Sequence, residues 1–316
     1  MSSELRILAA ALALALVLPA SRVEPAVSRV AIVRASSLGP FTQATQAIID
    51  TLRAETPQPE ILTFDLEGDE SRGAATVVAV RAATPTVVVT VGSLATSIML
   101  RAPELTAPIV FSMVLYPEES GFLAKRAEGV TGVALDVPLD VQLETLHRLV
   151  PAARRVGVLY NPDETGRIVE RARAASGGQR LELVSEEVHD ATRAVEALER
   201  LAERVDVVWS VADSHVFTPQ TTSALILAAL RRRLPLVGLS TAHVRAGTLA
   251  ALTVDYADVG RQTGEITARL LRGTKADQVP VAAPRRVSLA LNLRTAEHIG
   301  LTVDPVLVAE ATEVVR

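Results

Sequence analysis

Two stretches of this chain run through the same series of strands and loops in the same order, and that repeat limits the fold more than any other feature. Ser28-Arg29-Val30-Ala31-Ile32-Val33-Arg34 aligns with Arg154-Arg155-Val156-Gly157-Val158-Leu159-Tyr160. Thr86-Val87-Val88-Val89-Thr90-Val91 aligns with Asp206-Val207-Val208-Trp209-Ser210-Val211. Pro108-Ile109-Val110-Phe111-Ser112 aligns with Pro235-Leu236-Val237-Gly238-Leu239-Ser240, allowing one extra residue. The offset is roughly 120 to 130 residues, about the size of one domain.

Between these matches, short β-branched runs alternate with longer amphipathic stretches. Strands covered on both faces read as continuous apolar runs, which is the mark of a parallel sheet between helices. The expected fold is therefore α/β, with two doubly wound parallel-sheet lobes joined by a multi-strand hinge. Residues 29–134 plus 256–287 are expected to form the first lobe and 135–255 the second. Residues 288–316 hold a final crossing strand and helix assigned to neither. Thr131–Pro138 is the expected outbound hinge and Ala251–Asp255 the return, with a third crossing near Ser288–Leu293.

The N-terminus sets the expected compartment. Ile7 to Ala20 is an apolar run behind a single basic side chain, Arg6. It is short for a membrane span and suits the core of a signal peptide, so residues 1–28 are expected to be a signal and lead. The sequence has no cysteine, which excludes disulfides, thiolate metal sites, a cysteine nucleophile and a lipoprotein anchor. A net charge of -4 supplies no basic stripe for nucleic acid. The five histidines show no metal-type spacing, and no nucleophile elbow, phosphate loop or dinucleotide fingerprint occurs. Neither an enzyme nor a bound metal or cofactor is expected.

Several segments carry a resemblance. Val156-Gly157-Val158-Leu159-Tyr160-Asn161-Pro162, Asp255-Tyr256-Ala257-Asp258-Val259-Gly260-Arg261-Gln262-Thr263-Gly264 and Leu291-Asn292-Leu293-Arg294-Thr295-Ala296 are its most specific stretches. Pro108–Ser112 and Gly129–Val133 support them. Together the chain resembles the periplasmic substrate-binding proteins of ABC importers, of the family that includes tryptophan- and phenylalanine-binding members. The resemblance implies a fold like that of the type I periplasmic binding proteins. It departs from the family at Val114–Gly121, where the family usually carries Asp-Pro followed by glycine-rich residues after the Phe-Ser strand, and in the loop after the first strand, Arg34–Phe41. Both loops are expected to help shape the pocket, so the ligand need not be an aromatic amino acid.

In doubly wound lobes the loops after the strand C-termini form the ligand-binding edge. The repeat pairs those loops: Ser36 with Asn161, Gly92–Thr96 with Ala212–Val216, and Ser112 with Ser240. Gly92, Ser93, Leu94 and Ala95 open a helix directly after a buried strand, where free N–H groups and the helix dipole favour a carboxylate. A plain N-cap is the simpler alternative. Ser36 and Ser37, Ser112 and Ser240 end strands in the same way, and Asn161 is either a donor across the cleft or an Asx-turn before Pro162. Asp136, Asp213 and Asp255 are candidates to hold a ligand ammonium, Asp213 and Asp255 first, with an N-cap or a hinge hydrogen bond as the alternative for each. Tyr160 and Phe217 are placed to stack on a ligand, Met113 to line the pocket, and Trp209 to sit in the core. Ser214, in the matching loop, is a further candidate ligand contact; with Asp213 and His215 it also suggests a catalytic group, but adjacent residues on one turn rarely point at one atom. The expected function is a monomeric extracytoplasmic receptor that closes on a small polar organic ligand, amino-acid-like by first preference, and delivers it to the permease of an ABC importer. A ligand-sensing partner of a membrane histidine kinase is the alternative.

Overall fold

The protein is described by a computed structural model covering residues 28–124 and 129–316. The expected signal segment lies outside these residues. The first lobe runs β1 (Arg29–Arg34), α1 (Gly39–Arg53), β2 (Glu60–Asp65), α2 (Gly73–Ala82), β3 (Val87–Val91), α3 (Ser93–Leu100), β4 (Ile109–Val114) and β5 (Val130–Ala134). Its five strands are all parallel, in the order β2-β1-β3-β4-β5. Every residue of β3, β4 and β5 is buried, as strands sandwiched between two helical layers must be.

The chain then crosses into the second lobe with α4 (Leu139–Leu149), β6 (Arg155–Tyr160), α5 (Pro162–Ser176), β7 (Glu182–Glu187), α6 (Ala194–Ala202), β8 (Val207–Trp209), α7 (Thr222–Arg231), β9 (Leu236–Gly238), α8 (Thr241–Ala246) and β10 (Ala250–Val254). It returns as α9 (Tyr256–Leu271), then ends with β11 (Val287–Asn292), α10 (Leu293–Ile299), α11 (Pro305–Glu310) and β12 (Glu313–Val315). The second sheet has seven strands in the order β12-β11-β10-β9-β8-β6-β7. Read from its β7 edge, β7-β6-β8-β9-β10 repeats the strand order of the first sheet. The sequence repeat is thus a repeat of topology.

Both hinge strands are drawn into sheets. Thr131–Ala134 belongs to β5, so the outbound crossing shortens to 135–138. Ala251–Val254 belongs to β10, and β11 pairs antiparallel with it rather than bridging the lobes. A buried extended run looks the same in sequence whether it closes a sheet or spans two. The last crossing is instead the segment around Ala282, which bridges Val133 of β5 before the chain enters β11.

Helix α9 belongs to the first lobe although it follows the second lobe's core strands. It packs with α1 over Val30, Ile32, Val87 and Val89. The two helices approach closely because Gly260 and Gly264, one turn apart, face α1. A Cβ on Gly260 would lie 2.3 Å from the Ala44 carbonyl oxygen, and one on Gly264 would lie 2.7 Å from the Thr51 Cβ. Alanine is favoured over glycine in a helix by about 1 kcal/mol, so the overlap must outweigh that gain. Gly260→Ala is expected to destabilise the protein by a net ~2 kcal/mol in urea unfolding, because the contact is with backbone that cannot rotate away. A loss below about 0.5 kcal/mol would mean that the helices separate freely.

Candidate functional site

The carboxyl edge of the first lobe is made of self-contained turns. Ser36 accepts a hydrogen bond from the Leu38 N–H at 3.4 Å, and Ser37 donates to Asp65 at 2.9 Å. Gly92, with φ of 100°, is the N-cap of α3, so Ser93 is the first helical residue and does not cap. A side chain at Gly92 would meet Phe41 and Ala35 at 2.7 and 2.8 Å; its bareness serves the packing of its own lobe. Ser93 stays exposed, while Leu94 and Ala95 turn into the first lobe's core. Ser112 is fully buried and accepts from Thr263 of α9 at 2.9 Å, and Met113 is 5% exposed in the core beside Val133. Neither reaches the space between the lobes.

The matching edge of the second lobe is braced by one carboxylate. Asp213 is 2% exposed. Its Oδ2 accepts from the Asn161 N–H at 2.7 Å and the Thr165 hydroxyl at 2.6 Å, and its Oδ1 from the N–H groups of His215 and Val216 at 2.9 and 3.1 Å. With two donors on each oxygen, the carboxylate is saturated by the protein rather than presented to a ligand ammonium. Asn161 is an N-cap, accepting from Asp163 and donating to the Val188 carbonyl. Ser214 donates to Glu164 at 2.9 Å, and His215 Nδ1 lies 2.8 Å from the same carboxylate. Burial pushes the Glu164 carboxyl up, but the bonds from Ser214 and His215 outweigh it and hold the group below its ordinary value. The bond to Glu164 in turn raises the His215 imidazole. Glu164, Asp213 and His215 bring ligand-type atoms within 4.8 Å of one another, but their oxygens are already occupied in holding the turn.

Other candidates also face their own lobe. Tyr160 donates to Glu187 at 3.2 Å, and Phe217 lies 6.1 Å from the His243 ring against the second lobe's core. Ser240 and Asp255 are N-caps of α8 and α9.

Both lobes meet around a cavity at the crossing. Its floor is the face of β8, β9 and β10 beneath α4, including Trp209, Val237, Leu252 and, on α4, Leu146 and Leu149. Its rim is Leu115, Tyr116, Leu135 and Asp136, supplied by the β4–β5 loop and the outbound crossing. The cavity volume is about 100 Å3. Tyr116 holds a left-handed φ of 50°, and its N–H donates to Asp136 at 2.9 Å. Its ring packs on the second lobe's core. Burial raises that phenol and also raises the Asp136 carboxyl. Glu119 of the same loop, its side chain 10% exposed, pairs with Arg171 on α5 and fastens the rim across the lobes. Trp209 Nε1 donates to Gln142 at 2.8 Å, which fixes the indole under α4. Ser210 is 4% exposed and lines the cavity, and among the described residues its hydroxyl has no partner. Of the residues expected from sequence to bind, Asp136 lines this cavity.

A second cluster ties α9 to the last crossing. Asp258, its side chain 2% exposed, accepts from Arg285 at 2.9 Å and Arg261 at 3.1 Å. Gln262 donates to the Ala283 carbonyl and accepts from the Arg285 N–H. Burial pushes the Asp258 carboxyl up, but the two guanidinium groups prevail and hold it below the ordinary carboxylate value.

Comparison with known proteins places this architecture. The family model described as ABC transporter substrate binding protein matches residues 29–315. The chain belongs to that family. A curated Tyrosine-binding protein of Clostridioides difficile (strain R20291) is 23% identical over 61% of this chain, and the match spans only 57% of that protein. A ligand-free, open substrate binding protein with adhesive properties from Clostridium difficile shares the fold with a TM-score of 0.75 at 18% identity, over 92% of this chain and 99% of that one. An ABC domain from Streptococcus pneumonia in complex with L-Trp does so with a TM-score of 0.68 at 22% identity, over 92% and 100%. In this chain the loop that sequence reading marked as unusual carries the rim of the cavity, through Tyr116 and Glu119. Tyr116, Gln142 and Ser210 line this cavity and were not among the residues expected from sequence to bind. Tyr116 carried one signal, its place in that departing loop. The hydroxyl of Ser210 carried none, because an exposed strand-end serine and an orphaned one read alike.

Proposed function

We propose that the chain is an extracytoplasmic solute receptor that closes its two lobes on a small polar organic solute and hands it to the permease of an ABC importer. It works by binding and release, without turnover. The cavity built jointly from both lobes carries this reading: a solute touching both halves stabilises their closed arrangement in proportion to its preference for it. The relatives supply the first solute class to try, since one is described as tyrosine-binding and another was crystallised with L-Trp. Among the described residues no helix is long and apolar enough to cross a membrane.

The test is a thermal-shift panel of amino acids, amines, purines, sugars and organic acids on the purified protein. A true ligand at about a hundred times its Kd is expected to add ~3 kcal/mol and raise Tm by about 5 °C. A flat Tm across all classes would remove the receptor reading. Co-purification with a histidine kinase instead of a permease would move the same binding step to a sensor.

A further inference from the structure

The lining of the junction cavity goes further than the fold in saying what can occupy it. Its walls are aliphatic and indole side chains, so the body of an occupant must be apolar. Among the described residues no Lys, Arg or His lines it, and its one carboxyl group is that of Asp136. Arg171, the cation whose charge acts on Asp136, is engaged by Glu119. The amide of Gln142 donates to the Val137 carbonyl and accepts from Trp209, and Thr145 donates to the Val141 carbonyl. Ser210 remains, a buried hydroxyl with no partner, and buried polar groups are left without partners only rarely.

We propose that this cavity is a binding site for a compact primary amine with a branched apolar body and no carboxylate. The inference rests on the receptor reading above and narrows its solute from amino acids to amines. A ligand ammonium supplies a counter-charge for Asp136 and a donor for the Ser210 oxygen, leaving its third hydrogen for the rim. The body lies against Trp209 and the leucines of α4. A volume of about 100 Å3 is smaller than the cavity of about 150 Å3 that takes benzene, so the occupant is compact, with no more than about benzene's six heavy atoms. An amino acid of the same side chain would bring a carboxylate with no cation to meet it, and an unpaired charge in apolar surroundings is strongly disfavoured.

Isoamylamine, isoamyl alcohol and leucine share one branched five-carbon body, to which leucine adds a carboxylate, and they separate the three possibilities. Titration is followed by calorimetry and by the fluorescence of Trp209, which lines the cavity and is the sole tryptophan. Isoamylamine is expected to bind at least about tenfold more tightly than either of the others. Asp136→Asn keeps an oxygen for the Tyr116 N–H and is expected to lose that preference at unchanged unliganded Tm. Ser210→Ala removes only an unpaired hydroxyl and is expected to weaken the amine about threefold or more while leaving the fold as stable. Leucine binding as tightly as isoamylamine, no saturable amine binding, or full amine affinity in Asp136→Asn each overturns the proposal. If Asp136→Asn does not fold, the three-ligand comparison on the unmutated protein decides alone. A different solute that binds in the panel while the amine does not would overturn this site and leave the receptor reading standing.

Discussion

Asp213→Ala is expected to lower the free energy of unfolding by about 4 kcal/mol, the largest effect of any single polar substitution in the second lobe. The substitution strands four donors at once: the N–H groups of Asn161, His215 and Val216 and the Thr165 hydroxyl. Each hydrogen bond to a charged acceptor contributes about 1.5–3 kcal/mol, and donors near the rim recover part of that from water. Asp213→Asn should cost nearly as much, because an amide presents one oxygen and two N–H donors to groups that are themselves donors. Urea unfolding followed at Trp209, in the same lobe, reads the loss directly. A change under about 1 kcal/mol would mean that the carboxylate is not the brace. Thr165→Val then separates bracing from binding: it should cost about 1 kcal/mol with ligand affinity unaltered.

The second large effect lies where α9 meets the last crossing. Asp258→Asn is expected to destabilise the protein by about 2 kcal/mol near neutral pH. A fully buried pair broken on one side costs ~3–5 kcal/mol, but Arg261 and Arg285 keep much of their surface in water and the penalty is screened accordingly. The sign of the pH dependence follows from the lowered carboxyl. Its folded value lies below the ordinary 3.8, so its contribution is complete above that value and fades as pH falls through the folded one. The Tm difference between the unmutated protein and Asp258→Asn should therefore be constant from about pH 5 to 7 and shrink below about pH 4. A difference that persists or grows in acid would show that packing, not charge, holds the crossing.

The layout of the lobes was legible because it depends on period and order. Val87–Val91 is buried on both faces and could be nothing but an inner strand, and the matched runs Arg29–Arg34 and Arg155–Tyr160 occupy matched places in the two sheets. The small polar residues at strand ends were visible as a class, but their division between cap and ligand contact was not. Asn161, Ser240 and Asp255 turned out to cap the helices that follow them, a choice made by the dihedral angles of one or two residues. Asp213 is held by its own turn and by Asn161 and Thr165, some fifty residues earlier, and nothing in its own neighbourhood announces Thr165. The cavity was least legible of all. Tyr116, Asp136 and Ser210 come from the first lobe, the crossing and the second lobe, and only the path of the hinge makes them neighbours.

The return of α9 has a consequence for the order in which the molecule can be made. The face of the first sheet carrying Val30, Ile32 and Val89 is covered in part by a helix that leaves the ribosome only after β6 to β10 have done so. The second sheet in turn waits for β11 to pair with β10. Neither lobe can be finished as a local event, and contacts between residues so far apart in sequence slow folding. A growing chain therefore exposes an apolar strand face for as long as synthesis of the intervening half takes. That delay offers a holding chaperone both a surface and the time to bind it, and keeps the polypeptide threadable until late.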